Sequence, residues 1–154
     1  MPTELFLTAL AATTIGPAAA AAIADWRTQR VPNSWVALAI VPSVTAVLLA
    51  HDRVPQLAEV AAGAAVMALP LLLVHLASPA AIGFGDVKLA VPLGAALGVL
   101  APNLTVLALA AGAGLTLLVA GCSRRAAVPF APGLVAGAAT AFVLGSLEGW
   151  RVAA

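Results

Sequence analysis

The sequence predicts an all-α, polytopic membrane protein: a bundle of six transmembrane helices forming one membrane-embedded unit over residues 1–154. Three observations predict it. Hydrophobic residues make up 63% of the chain and charged ones only 8%, where a soluble domain carries about 25% charged residues. The apolar runs between the charged clusters are each close to the roughly 20 residues that cross a bilayer. The basic residues, counted loop by loop, fall unevenly on the two sides that six crossings create.

Taken in order, the first span runs from about Leu5 to Ala24 and ends at Asp25-Trp26-Arg27-Thr28-Gln29-Arg30-Val31-Pro32-Asn33. The opening Met-Pro-Thr-Glu lacks the positive n-region of a secretory signal, so this segment reads as a retained span. The second covers about Ser34 to Ala50 and closes at His51-Asp52-Arg53-Val54-Pro55-Gln56. The third runs from about Leu57 to Ala77, followed by a Pro- and Gly-rich turn from Ser78 to Gly85. The fourth begins at Asp86 and ends near Ala101, and Pro102-Asn103 make the shortest break in the chain. The fifth then reaches about Gly121. The segment Cys122 to Pro132 leads to the sixth, Gly133 to about Leu147.

Alternate loops place Arg27, Arg30, Lys88, Arg124 and Arg125 on one side, and Arg53 and Arg151 on the other with Glu4, Asp52, Glu59 and Glu148. Short loops rich in Lys and Arg stay in the cytoplasm, so five against two puts the first group inside and both termini outside. Small residues recur at four-residue spacing in Gly94/Gly98, Gly133/Gly137 and Gly145/Gly149, where backbones approach closely. Pro17, Pro42, Pro70 and Pro92 fall within spans and are expected to kink them. No basic patch suits nucleic acid. Cys122 is the single cysteine, which excludes an internal disulfide and a four-cysteine zinc site.

Ionisable residues are costly in lipid, and two stand out. Asp25 ends the first span and Asp86 begins the fourth, both on the cytoplasmic side. Two carboxylates brought together by helix packing share one proton, because they resist ionising together. The ionised member then activates water while the other protonates a scissile carbonyl, chemistry that needs neither cofactor nor metal. The glycines in Gly83-Phe84-Gly85 leave the backbone free for unusual angles and for close approach of an extended peptide. That flexibility suggests carboxylates held apart at rest and closed around substrate. Each site also has a plain structural reading: Gly-x-Gly-Asp as a turn with an N-cap, Arg27 and Arg30 as anchors at anionic lipid headgroups. His75, near the cytoplasmic end of the third span, reads as packing or interfacial.

Asp25-Trp26-Arg27 followed by Arg30-Val31-Pro32-Asn33 resembles the first aspartate motif of the type IV prepilin peptidases. Gly83-Phe84-Gly85-Asp86-Val87-Lys88-Leu89 resembles their second, Gly-x-Gly-Asp, motif, and Val128-Pro129-Phe130-Ala131-Pro132-Gly133 resembles the stretch that opens their last span. The resemblance implies that Asp25 and Asp86 are the catalytic pair. It implies supporting or substrate-binding places for Gly83, Phe84, Gly85, Lys88, Arg27, Pro32 and Asn33, with Lys88 holding the loop or influencing the pair. The substrates implied are prepilins or pilin-like precursors, cut after a glycine at the cytoplasmic face of the cell membrane. Many family members carry a cytoplasmic domain with paired Cys-x-x-Cys motifs in the first loop and also methylate the new N-terminus. Here that loop is nine residues without cysteine, like the peptidase-only forms of Flp/Tad-type pili. Two other readings stand beside this one. An intramembrane protease of the presenilin kind would need a Tyr-Asp motif in a chain that has no tyrosine. A small transporter or assembly factor would place its ionisable residues near the midplane rather than at span ends.

Overall fold

The computed structural model describes residues 3–49, 54–123 and 128–148, and side chains within 13–45, 57–123 and 128–145. The described residues form six α-helices and no strand: α1 (Thr3–Thr28), α2 (Asn33–Leu49), α3 (Val54–Ala77), α4 (Phe84–Leu100), α5 (Pro102–Cys122) and α6 (Ala131–Glu148). His51, Asp52, Arg53, Arg124, Arg125, Gly149 and Arg151 lie outside the described residues, as do the side chains of Glu4 and Glu148.

The breaks between helices follow the local chemistry. Pro102 takes the first position of α5, where a missing N–H costs nothing and a fixed φ suits the helix. The whole α4–α5 connection is then Ala101, extended at φ −166° and ψ 126°, whose N–H still bonds the Leu97 carbonyl at 2.9 Å. At the end of α1 the chain leaves the helix through Gln29, the one non-glycine with positive φ (53°) among the described residues. Pro17, Pro42, Pro70 and Pro92 all sit inside helices that continue past them.

Helix α4 is the axis of the fold, touching each of the other five. Its buried residues run almost without interruption from Asp86 to Gly98. The closest packing is with α3, and it is a contact of backbones. A Cβ on Gly63 would fall against the Gly94 carbonyl and 2.7 Å from the Gly98 Cα, while one on Gly98 would meet the Glu59 carbonyl. The Gly94/Gly98 spacing thus works as the sequence suggests, with Gly63 as its partner on α3. The Gly133/Gly137 pair packs likewise on α5, where a Cβ on Gly137 would lie 2.6 Å from the Gly112 nitrogen.

Among the described residues, large apolar side chains lie exposed along the helices. Leu73 and Leu76 on α3, and Leu117 and Leu118 on α5, are all exposed, Leu117 at 72%. Leaving such side chains in water forfeits about 1.5–3 kcal/mol each. By length and composition α3 (Leu57–Ala77) and α5 (Pro102–Cys122) suffice to cross a membrane, and Asn33–Thr45 and Ala131–Gly145 are shorter apolar helices.

Candidate active site

Asp25 reaches the interior because α1 is built to come close. Thr14, Ala18, Ala21, Ala22 and Asp25 form one buried stripe at helical spacing, and its side chains are small until the carboxylate. Asp25 is only 7% exposed although it lies in the last turn, where Gln29 N–H bonds its carbonyl at 2.8 Å.

Asp86 is 6% exposed and sits in the first turn of α4. Gly83, extended at φ −70° and ψ 147°, is the residue that caps this helix, so Asp86 is its third residue rather than the cap that the motif alone suggests. The Asp86 N–H donates to the Gly83 carbonyl at 3.1 Å, and the Gly83 N–H donates back to Asp86 Oδ2 at 3.2 Å. This return bond satisfies a helix-start donor and fixes the carboxylate. Asp86 Oδ1 is buried with no hydrogen-bond partner, an acceptor held ready at the site.

The two carboxylates lie near enough for the charge of one to act on the other. The charge of Asp25 acts directly on Asp86, and the backbone N–H of Ala131 acts on both. No hydrogen bond joins the two side chains among the described residues. Ala131 is fully buried at the first turn of α6, which starts where Leu134 N–H bonds the Phe130 carbonyl at 3.0 Å. Its N–H is one of the helix-start donors that have no acceptor inside the helix, and Pro132 beside it brings none. Two helix N-termini, those of α4 and α6, therefore converge on the pair, where partial positive charge favours an anion.

Around the pair, the α1–α2 connection packs on the start of α4. A Cβ on Gly85 would lie 2.8 Å from Val31 Cβ and 3.0 Å from its Cγ2. The expectation of unusual backbone angles in Gly83-Phe84-Gly85 is therefore corrected: neither glycine has a positive φ, and Gly85 instead supplies space for Val31. Pro32 starts α2, its carbonyl accepting the N–H groups of Trp35 (3.2 Å) and Val36 (3.4 Å). Lys88 Nζ donates to Asn33 Oδ1 at 3.2 Å and lies 4.9 Å from the centre of the Phe84 ring, tying α4 to the start of α2. Arg27 is exposed in the last turn of α1, and no ion pair joins it to either aspartate among the described residues. His75 Nδ1 is 2.8 Å from the Ile82 carbonyl, and its ring packs on Phe84 with centroids 5.4 Å apart.

Of the residues singled out from sequence, the fold joins Asp25, Asp86, Gly83, Phe84, Gly85, Lys88, Pro32 and Asn33 at one end of the bundle and leaves Arg27 at its surface. It adds a packing role for Val31, which the first motif contains without a role of its own. It also adds Ala131, which contributes a backbone group; the only signal for it is Pro129-Phe130-Ala131-Pro132-Gly133, a pattern that opens a helix.

A helical bundle whose exterior is apolar and whose end buries two interacting carboxylates against helix N-termini can perform acid–base hydrolysis without a bound group. A family model described as the type IV leader peptidase family matches residues 12–119, which include both aspartate motifs and stop short of Val128–Gly133. The chain belongs to that family, whose members are membrane-associated peptidases acting on prepilin-like precursors. Neither the curated proteins nor the solved structures contain a significant match to it.

Proposed function

We propose that this protein is an aspartic endopeptidase that removes the leader peptide from prepilins or pilin-like subunits at the cytoplasmic membrane face, with Asp25 and Asp86 as its catalytic pair. The observation that carries the reading is that these two buried carboxylates, 61 positions apart in the chain, interact electrostatically and that the N–H of Ala131 acts on both. One carboxylate, ionised, takes a proton from a water between them; the water oxygen attacks the scissile carbonyl carbon. The other carboxyl gives its proton to the carbonyl oxygen. Collapse of the resulting diol breaks the C–N bond: one diol hydroxyl returns its proton to the ionised carboxylate as the carbonyl re-forms, and the departing amine takes a proton from the other carboxyl. The two aspartates work as a unit, so acid and base are roles of the pair rather than of either residue.

The membrane arrangement proposed is six crossings, one per helix, forming a single domain with both termini outside. The apolar exterior of α3 and α5, the two helices long enough by themselves, supports it, and so does the placement of Arg27, Arg30 and Lys88 on the side of the two aspartates. The reaction proposed is cleavage without N-methylation, because the connection from α1 to α2 is short and has no cysteine for a metal-bound cytoplasmic domain.

The test is co-expression of a candidate precursor from the same genome with wild type, Asp25→Asn or Asp86→Asn, read by gel shift and the mass of the new N-terminus. Wild type is expected to cut after the leader glycine and both variants to leave the precursor whole. Cutting that persists in one variant removes that aspartate from the mechanism. A wild type that leaves several precursors intact favours the transporter or assembly-factor reading.

A further inference from the structure

The loop between α3 and α4 carries Asp86 into place, and one peptide group in it is engaged at both ends. The Ile82 carbonyl and the Gly83 N–H belong to the same peptide unit. The carbonyl faces His75 Nδ1 at 2.8 Å, and the N–H donates to Asp86 Oδ2 at 3.2 Å. A trans peptide is planar with its C=O and N–H pointing in opposite directions, so this unit is strung as a rigid strut between the histidine and the aspartate. A carbonyl oxygen only accepts, so Nδ1 carries the proton in this contact.

The ring has a second hold on the same segment. It packs on Phe84, the residue after Gly83, and Phe84 is in turn covered by Lys88 Nζ at 4.9 Å. His75 reaches the loop from the last turn of α3, where the helix ends with Ser78 N–H on the Val74 carbonyl. Without it, the Ile82 peptide has a fixed partner only on the Asp86 side.

We propose that His75 is a positioning residue of this peptidase. By holding the Ile82–Gly83 peptide plane it orients the Gly83 N–H, and through that N–H it sets the Asp86 carboxylate for the reaction. The hydrogen bonds are in series, so each polarises the peptide and strengthens the other. His75 touches neither the reacting atoms nor Asp25, and its effect passes wholly through the peptide. The inference rests on the peptidase reading above, since it assigns a role within that site.

The discriminating variants are His75→Ala and His75→Asn. The Asn amide can place an N–H near the position of Nδ1, and the Ala variant has no donor. With purified protein in lipid nanodiscs and a precursor as substrate, His75→Ala is expected to lower kcat about tenfold, the effect of one hydrogen bond worth roughly 1.4 kcal/mol, with KM changing less than about twofold. His75→Asn is expected to recover kcat to within about threefold of wild type. In parallel, hydrogen exchange of the Gly83 amide is expected to quicken about tenfold in His75→Ala and to stay near wild type in His75→Asn. Wild-type kcat in His75→Ala, a fall of KM and kcat in equal measure, or His75→Asn as impaired as His75→Ala would each overturn the assignment. Exchange of Gly83 does not depend on activity. Should wild type cut no precursor, the peptidase reading fails, while unchanged Gly83 exchange in His75→Ala would separately refute the strut.

Discussion

Replacing Gly85 with alanine adds a single methyl group, and two opposing effects make the outcome decisive. Gly85 is the second residue of α4 and has no positive φ, so Gly→Ala there should favour the helix by up to about 1 kcal/mol. Against this, the new Cβ would stand 2.8 Å from Val31 Cβ and 3.0 Å from Val31 Cγ2. Carbon atoms sit comfortably at about 3.5–4.0 Å, so the α1–α2 connection and the start of α4 must separate by roughly 0.7 Å or more. Overpacking of this kind costs about 1–3 kcal/mol, which outweighs the helix gain. The displaced residue next in sequence is Asp86, and misplacing a reacting group by about 1 Å can cost on the order of a hundredfold in rate. Precursor cleavage by purified Gly85→Ala should therefore fall by roughly 10- to 100-fold, with thermal stability lowered rather than raised. The double variant Val31→Gly/Gly85→Ala moves the methyl's space to the other partner and should regain most of the cleavage lost. Val31→Ala should rescue poorly, because the nearer clash is with Val31 Cβ and remains. Wild-type cleavage in Gly85→Ala, or a double variant no better than the single one, would refute the claim that Gly85 is there to admit Val31.

Ala131→Pro deletes the N–H shared by the two carboxylates at a helix position that otherwise tolerates proline. Loss of a charge-assisted hydrogen bond worth about 1.5–3 kcal/mol should lower kcat roughly 10- to 100-fold while far-UV circular dichroism stays unchanged; unaltered kcat would take Ala131 out of the site. Gly63→Ala drives a methyl into the backbone of α4 and should lower the thermal midpoint in detergent by the equivalent of about 2 kcal/mol. Gly114→Ala, with nothing within 4 Å of its Cβ, should leave that midpoint level or slightly higher, and equal losses at both positions would contradict the packing described.

The helix count and the breaks between helices were legible because polar clusters interrupt apolar runs, and Pro102 announces the shortest break on its own. Asp25 and Asp86 were legible as a pair because two helices, α2 running away and α3 running back, separate the end of α1 from the start of α4, which puts both at the same end of the bundle. Gly94 and Gly98 showed their role through spacing, whereas Gly63 has no spaced partner on its own helix and was visible only once α3 lay against α4. The contribution of Ile82 could not be read, and that of Ala131 was signalled only by a helix-opening pattern: each acts through a main-chain group that every residue possesses, and only the fold decides where it points. Gly83-Phe84-Gly85 was read as a torsional need, whereas Gly85 meets a spatial demand from Val31. His75 looked like an interfacial residue because its partner is a carbonyl seven positions on, beyond any local pattern.

The central place of α4 has a consequence for biogenesis. Helices α1, α2 and α3 leave the ribosome before the helix that all of them pack on exists, and the contact between α2 and α3 is slight. In the six-crossing arrangement proposed above, the faces of α1, α2 and α3 that pack on α4 stay uncovered until it follows. The two aspartates come together only when α4 is threaded between its neighbours, and the N–H they share arrives later still, with α6. If the two aspartates are the catalytic pair proposed above, proteolytic competence is one of the last properties the growing chain acquires.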